Sequence, residues 1–209
     1  MIDKIVLIGG APTVGKSYLA RKLSEKFKLP WISTDGIRDQ MRKIVKEEDY
    51  PALFYFDESK GLTAEGYLAT HTPQQIVDDQ NMESEDVWKG ARAFIDTDYV
   101  WKSFIVEGVA ILPKFVSEIK QDKLIIPIFI VDENRDRIKE MVYGRGLWGD
   151  AKTYSDDVKG VEVEWALLFS KYIKNEATKY GFDFYEIGER DKLVEQISEL
   201  VTEKLKDNA

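Results

Sequence analysis

Residues 4–27 read KIVLIGGAPTVGKSYLARKLSEKF, a β-branched apolar run, a glycine-rich stretch, then an amphipathic run with apolar residues at Leu19, Leu23 and Phe27. A strand that is apolar at consecutive positions is buried on both faces, and a helix directly behind it must cross over the sheet, so this order selects an α/β fold with parallel strands. The rest of the chain repeats the alternation. Further strands are expected at Trp31 to Ser33, Phe104 to Glu107, Leu124 to Val131 and Phe182 to Ile187, with the first at Lys4 to Ile8. Helical periodicity places Ile37, Met41, Ile44 and Val45 on one stripe, and Ile76, Gln80, Val87, Trp88, Ala91 and Phe94 on another. Two more run through Trp165, Leu168, Phe169, Tyr172 and Ile173, and through Leu193, Ile197, Leu200, Val201 and Leu205. Thr72, Pro73 and Gln75 form a helix-start signature with a capping box. Five strands with intervening helices make a three-layer α/β domain.

Two stretches break the alternation, Asp49 to His71 and Gly144 to Asp157. Their mixture of glycine, aromatic and charged residues suits functional loops or lids. No repeat, low-complexity tract or linker appears, so residues 1–209 are read as a single domain, with a substrate-covering segment at 49–95 and a lid at 132–160. The 30 Lys and Arg against 38 Asp and Glu leave a net charge of −8, which argues against broad contact with nucleic acid. The chain has no cysteine and only His71 as histidine, which removes disulfides, thiolate metal sites and histidine-rich metal sites. The N-terminus lacks a basic region followed by a long apolar stretch, and the longest apolar run is Leu124 to Val131. Neither targeting nor a membrane span is expected, and the chain is read as cytoplasmic.

Gly10, Ala11, Pro12, Thr13, Val14, Gly15, Lys16 and Ser17 match the Walker A pattern G-x-x-x-x-G-K-[ST]. The flanks decide its meaning, because a phosphate cradle needs a strand before it and a helix after it to aim backbone N–H groups at the anion. Both flanks are present. Lys16 is expected to reach the β- and γ-phosphates of ATP, Ser17 to ligate Mg²⁺, and Tyr18 to border the nucleotide.

The acceptor side is read from the next strand ends. "STDGIRDQMR" places Asp35 at the carboxyl end of the second strand, with Arg38 three residues further on and Arg42 four beyond that, all sharing one helix face. A carboxylate there can orient and deprotonate a hydroxyl, and guanidiniums can clamp an anion. The structural alternative makes Asp35 a helix cap and the arginines surface ion-pair partners. "IVEGVAILP" ends the third strand in Glu107 and Gly108; Glu107 is a candidate for Mg²⁺ or for the acceptor, or else a buried partner of Lys16. His71 is a further substrate-contact candidate, with a structural role beside the cap as its alternative. Gly188, after the fifth strand, is a further candidate for nucleotide contact.

In "GGAPTVGKS", "STDGIRDQMR" and "IVEGVAILP" the chain resembles the 2-phosphoglycerate kinase family, within the nucleoside-monophosphate-kinase-like P-loop kinases, from Ile5 to about Arg137. The resemblance implies a parallel sheet in the order 2-3-1-4-5, ATP and Mg²⁺ as donor, and a hydroxyl acceptor beside Asp35. It also implies an arginine-bearing lid after the fourth strand, where Arg135, Arg137 and Arg145 stand. Arg137 and Arg145 are the catalytic candidates there, with Lys16 and Asp35. The function expected is an ATP-dependent kinase for a small anionic metabolite, 2-phosphoglycerate being one. A nucleoside or nucleotide kinase, and a regulatory ATPase module without a small acceptor, are the alternatives. No nucleic-acid or membrane partner is expected, and the oligomeric state stays open.

Overall fold

The computed structural model describes residues 4–56, 61–97, 103–119, 123–147 and 151–206. Five strands, β1 (Lys4–Gly10), β2 (Trp31–Ser33), β3 (Ser103–Glu107), β4 (Leu124–Val131) and β5 (Phe184–Glu186), form one sheet in the order β2-β3-β1-β4-β5. Every pairing is parallel. Central β1 is buried from Ile5 to Gly10, as its uninterrupted apolar run requires. It extends beyond Ile8 because both glycines let neighbouring backbone approach. A Cβ on Gly9 would stand 2.1 Å from the Ile111 carbonyl oxygen, and one on Gly10 2.2 Å from that of Ile130. Edge strand β5 is shorter than its apolar run, since it pairs only with Phe129 to Val131 of β4.

The helices are α1 (Lys16–Phe27), α2 (Thr34–Ile44), α3 (Ala64–Thr70), α4 (Pro73–Asp96), α5 (Pro113–Ser117), α6 (Arg135–Arg145), α7 (Asp156–Lys179) and α8 (Arg190–Lys206). Helix α1 packs on β1, β2 and β3 and against α8, while α7 packs on β1, β4 and β5 and gathers α3, α4, α5 and α6. The sheet is thereby covered on both faces. Thr72 and Gln75 form the expected capping box at the start of α4. No helix among the described residues is long and apolar enough to cross a membrane.

Two expectations need correction. Ile44 does not lie on the buried stripe expected for α2; it ends the helix at 82% exposure. The α2 contact is instead made by Ile37 and Met41, which press on α4 where Gly90 has no side chain; a Cβ there would meet Met41 Sδ at 2.7 Å. The stretches read as loops also carry core. Leu53, Ala64, Tyr67 and Leu68 of the first, and Ala151 and Tyr154 of the second, are buried. The first contains α3 and a 3₁₀ turn at Pro51–Phe54. Irregular composition concealed them because each short element packs against α4, α6 or α7 rather than along a long stripe of its own. Residues 57–60 and 148–150 of these stretches lie outside the described residues.

Helix α7 buries a carboxyl group without hydrogen bonds. Glu162 is fully buried, and neither carboxyl oxygen has a hydrogen-bond partner. Burial pushes it up to about 7, with Lys159 opposing. The folded protein therefore holds a proton there that the unfolded chain releases near the ordinary carboxylate range. Stability falls by about 1.4 kcal/mol per pH unit as pH climbs between those limits. Glu162→Gln is expected to be neutral near pH 4 and to stabilise by up to about 3 kcal/mol near pH 8, read by urea denaturation at both pH values.

Candidate active site

The loop between β1 and α1 is shaped by backbone angles that side chains resist. Gly10 has φ 148°, Thr13 φ 73° and Gly15 φ 78°. A β-branched residue in the left-handed region is strained by about 1–3 kcal/mol, and such strain persists where the surroundings enforce it. Thr13 Oγ1 is buried without a partner. Gly15 caps α1 with no side-chain hydrogen bond, so its first-turn N–H groups have no capping side chain. Unspent donors at a helix N-terminus, beside a buried orphan hydroxyl, suit a phosphate group.

Lys16 is 9% exposed and donates to the Ala11 carbonyl at 2.7 Å. Burial lowers its affinity for a proton, and Glu107 and Asp35 oppose that only in part. Glu107 is buried at the end of β3 and accepts a hydrogen bond from Ser17 Oγ at 3.2 Å. Burial raises it, against the opposing pull of Lys16 and hydrogen bonds from Ser17 and Ser33. Gly108, next in sequence, lets the start of α2 close over β3. A Cβ there would lie 1.7 Å from Thr34 Oγ1.

Ser33 caps α2, accepting from the Asp35 N–H at 3.2 Å, so the Asp35 carboxylate is not spent as the cap. Its side chain is 62% exposed and lies 3.4 Å from Arg38. These groups open onto a cleft of about 960 Å³, lined by Pro12, Thr13, Lys16 and Ser17 from the loop and α1. Asp35, Arg38, Asp39, Arg42 and Lys43 of α2 form one wall. Glu107 and Gly108, Gln80 and Glu83 of α4, Tyr67 of α3, Arg145 and Trp165 are also among the cleft's lining residues. Trp165 Nε1 donates to Gln80 at 3.1 Å, tying α7 to α4.

The two arginines of α2 are used differently. Arg42 donates to the carbonyls of Leu53 and Phe56 and to Glu83 at 2.9 Å, so its fork holds the 51–56 segment against α4. Among the described residues, the ion pairs of Arg38 are with carboxylates: Asp39 at 3.1 Å, Asp35 at 3.4 Å and Glu83 at 3.8 Å. Truncating Arg42 leaves two carbonyls and a buried acid without their donor. Arg42→Ala is expected to cost about 2–4 kcal/mol in urea denaturation, against less than about 1 kcal/mol for Arg38→Ala.

Other candidates stand elsewhere. Arg137 makes a double hydrogen bond to buried Asp132 at 2.8 and 2.6 Å, and Arg135 pairs with Glu164; neither lines the cleft. Arg145, ending α6, does line it. His71 ends α3, stacked on Tyr67 with ring centroids 4.1 Å apart, and its Nδ1 lies 2.8 Å from the Tyr67 carbonyl. It is not on the cleft lining, and it contacts Tyr67, which is. Gly188 is exposed outside the cleft, although neighbouring Ile187 reaches Gly15. Tyr18 donates to Asp191 at 2.7 Å, tying α1 to α8. Glu83 is the site residue that sequence reasoning passed over. Its signal was an acid three residues from Gln80, at a core position of the α4 stripe.

A relative from Methanothermobacter thermautotrophicus bearing the name 2-phosphoglycerate kinase is 30% identical over 197 residues, covering 87% of this chain and 60% of its own. Another of that name, from Methanocaldococcus jannaschii, is 26% identical over 207 residues, covering 97% and 64%. This chain resembles the 2-phosphoglycerate kinases. It spans less than two thirds of the length of these curated relatives. No protein-family model matches it. The solved structure of a candidate kinase from Chloroflexus aurantiacus shares the fold at a TM-score of 0.53 and 12% identity, with full coverage of both chains. The sheet order and the loop of this 2-phosphoglycerate-kinase-like chain are those of the P-loop kinase fold.

Proposed function

We propose that the protein is an ATP-dependent kinase that transfers the γ-phosphoryl of ATP to a hydroxyl of a small anionic metabolite, 2-phosphoglycerate being the acceptor that its relatives' name indicates. The observation that carries this reading is the shared cleft, in which Lys16 and Ser17 lie on the same surface as Asp35 and Arg38. A slow regulatory ATPase has no need of an exposed carboxylate and a guanidinium opposite its phosphate loop.

The residues present fit the donor. The uncapped start of α1, the orphan Thr13 hydroxyl and buried cationic Lys16 suit a triphosphate, and the oxygen donors of Ser17 and Glu107 suit Mg²⁺. Among the described residues there is no cluster of three metal-ligating side chains. ATP with Mg²⁺ supplies the transferable phosphoryl group and neutralises its charge.

The chain's own residues do the rest. Lys16 exchanges its bond to the Ala11 carbonyl for phosphate oxygens. Asp35 takes the proton of the acceptor hydroxyl as the new O–P bond forms and the bond to ADP breaks. Arg38 holds the acceptor's anionic group, and Arg42 keeps the wall behind it in place. Arg145, at the end of α6 and on the cleft lining, brings positive charge to the transferred group. Catalysis is then mostly positioning and charge stabilisation. The test is ADP release from ATP-Mg²⁺ with phosphoglycerates, sugar phosphates, hydroxy acids and nucleotides offered in turn. Dependence on one class names the acceptor, and a rate indifferent to every compound would remove the kinase reading.

A further inference from the structure

Arg38 is the group expected to receive an acceptor anion, yet it already faces one. Glu83, on α4, is 5% exposed, lines the cleft, and lies 3.8 Å from Arg38 and 2.9 Å from Arg42. Arg42 has the Leu53 and Phe56 carbonyls as further partners, so its position does not depend on Glu83 alone. Around Glu83, α2 presents Arg38 and Arg42 with Asp35 and Asp39, the 51–56 segment presents Tyr55, and α3 presents Tyr67. Asp79 stands one turn back on its own helix, hydrogen-bonded to the Tyr67 hydroxyl, and α7 presents Trp165, bonded to Gln80. The cleft lining from α2 and α4 holds Arg38, Arg42 and Lys43 against Asp35, Asp39 and Glu83. That wall is balanced when Glu83 is ionised, and an arriving anion makes it net negative.

We propose that Glu83 is an acceptor-selecting counter-ion, which gives up Arg38 to an acceptor anion and takes a proton from solvent as it does so. Glu83 is the wall's buried carboxylate, Asp35 and Asp39 being exposed, so neutralising it costs least. Burial already pushes it up to about 7, against the opposing pull of Arg38 and Arg42. Losing Arg38 to an anion and gaining a negative neighbour both move it further up. Anion binding therefore tightens as pH falls, whereas a neutral polyol is held equally well at either pH. This inference rests on the kinase reading and adds to it a positioning residue that selects acceptors by charge.

The experiment measures KM for D-glycerate, 2-phosphoglycerate and glycerol at saturating ATP-Mg²⁺, from about pH 6 to about pH 8, in the wild type, Glu83→Gln and Glu83→Asp. D-Glycerate is the informative probe, since its carboxylate does not titrate in that range. Its KM is expected to rise about tenfold across the range in the wild type and in Glu83→Asp, and less than about twofold in Glu83→Gln. A merely structural role would lower the melting temperature of Glu83→Gln and leave the slope alone. Calorimetry of D-glycerate binding to the wild type, in buffers of different ionisation enthalpy near pH 7, is expected to show proton uptake. That measurement decides the matter if Glu83→Gln does not fold. A wild-type slope retained in Glu83→Gln, or no proton uptake by the wild type, would overturn the proposal while acceptor-dependent turnover left the kinase reading intact. Absence of turnover and of binding heat with every anion would remove both.

Discussion

Lys16→Ala is expected to lower acceptor-dependent ADP release by at least about 10²–10³-fold while the protein remains folded. Lys16 is a buried cation pointed into its own loop, bonded to the Ala11 carbonyl and drawn electrostatically towards Glu107 and Asp35. Nothing in the packing demands a lysine there. Its removal relieves one desolvated charge and leaves a neighbouring acid less well paired, two terms of opposite sign. Glu107 can answer by binding a proton, since burial already raises it. A thermal melt within a few degrees of wild type, together with loss of turnover, is the expected combination. Turnover surviving in a folded variant would mean that the loop is not the donor site.

Asp35→Asn is the sharper test of which wall receives the phosphoryl group. Asparagine keeps the shape and a hydrogen-bonding oxygen but cannot take the proton, so kcat with the acceptor is expected to fall by about 10²–10⁴-fold. KM for ATP should stay near wild type, because the loop that holds the donor is untouched. Stability should change by less than about 0.5 kcal/mol, since the Asp35 side chain is mostly exposed and its contact with Arg38 is a surface pair. Steady-state kinetics with ATP and acceptor varied separately check both statements. An unchanged kcat would return Asp35 to an electrostatic neighbour of Lys16 and no more.

Much of the donor side was legible because it is local. The phosphate loop, the strand before it and the helix after it lie within Lys4–Phe27, and the angles the loop needs are written in Gly10 and Gly15. The α4 cap was legible for the same reason, Thr72 and Gln75 being three residues apart. The acceptor side was legible only as a set of names. Asp35, Arg38 and Arg42 share a helix face by spacing, but which arginine is free for a ligand depends on residues far along the chain. Arg42 is occupied by Leu53, Phe56 and Glu83, 11, 14 and 41 positions away. Similarly, Arg137 looked like Arg145 in the sequence. A buried acid five residues before it, Asp132, holds it away from the cleft.

By itself, then, the sequence determined the parallel sheet, the phosphate loop with Lys16 and Ser17, and the placement of Asp35 and Glu107 at neighbouring strand ends. Each follows from short-range periodicity and turn chemistry, which act within a few residues. Only the tertiary structure decided that Glu83 stands behind Arg38, that Arg42 belongs to the wall, and that Tyr67 packs inside it. Those outcomes depend on how closely α2 settles on α4, and the closeness is set where Ile37 and Met41 meet the bare backbone of Gly90. Such a contact joins residues about fifty positions apart, so no periodicity along the chain announces it.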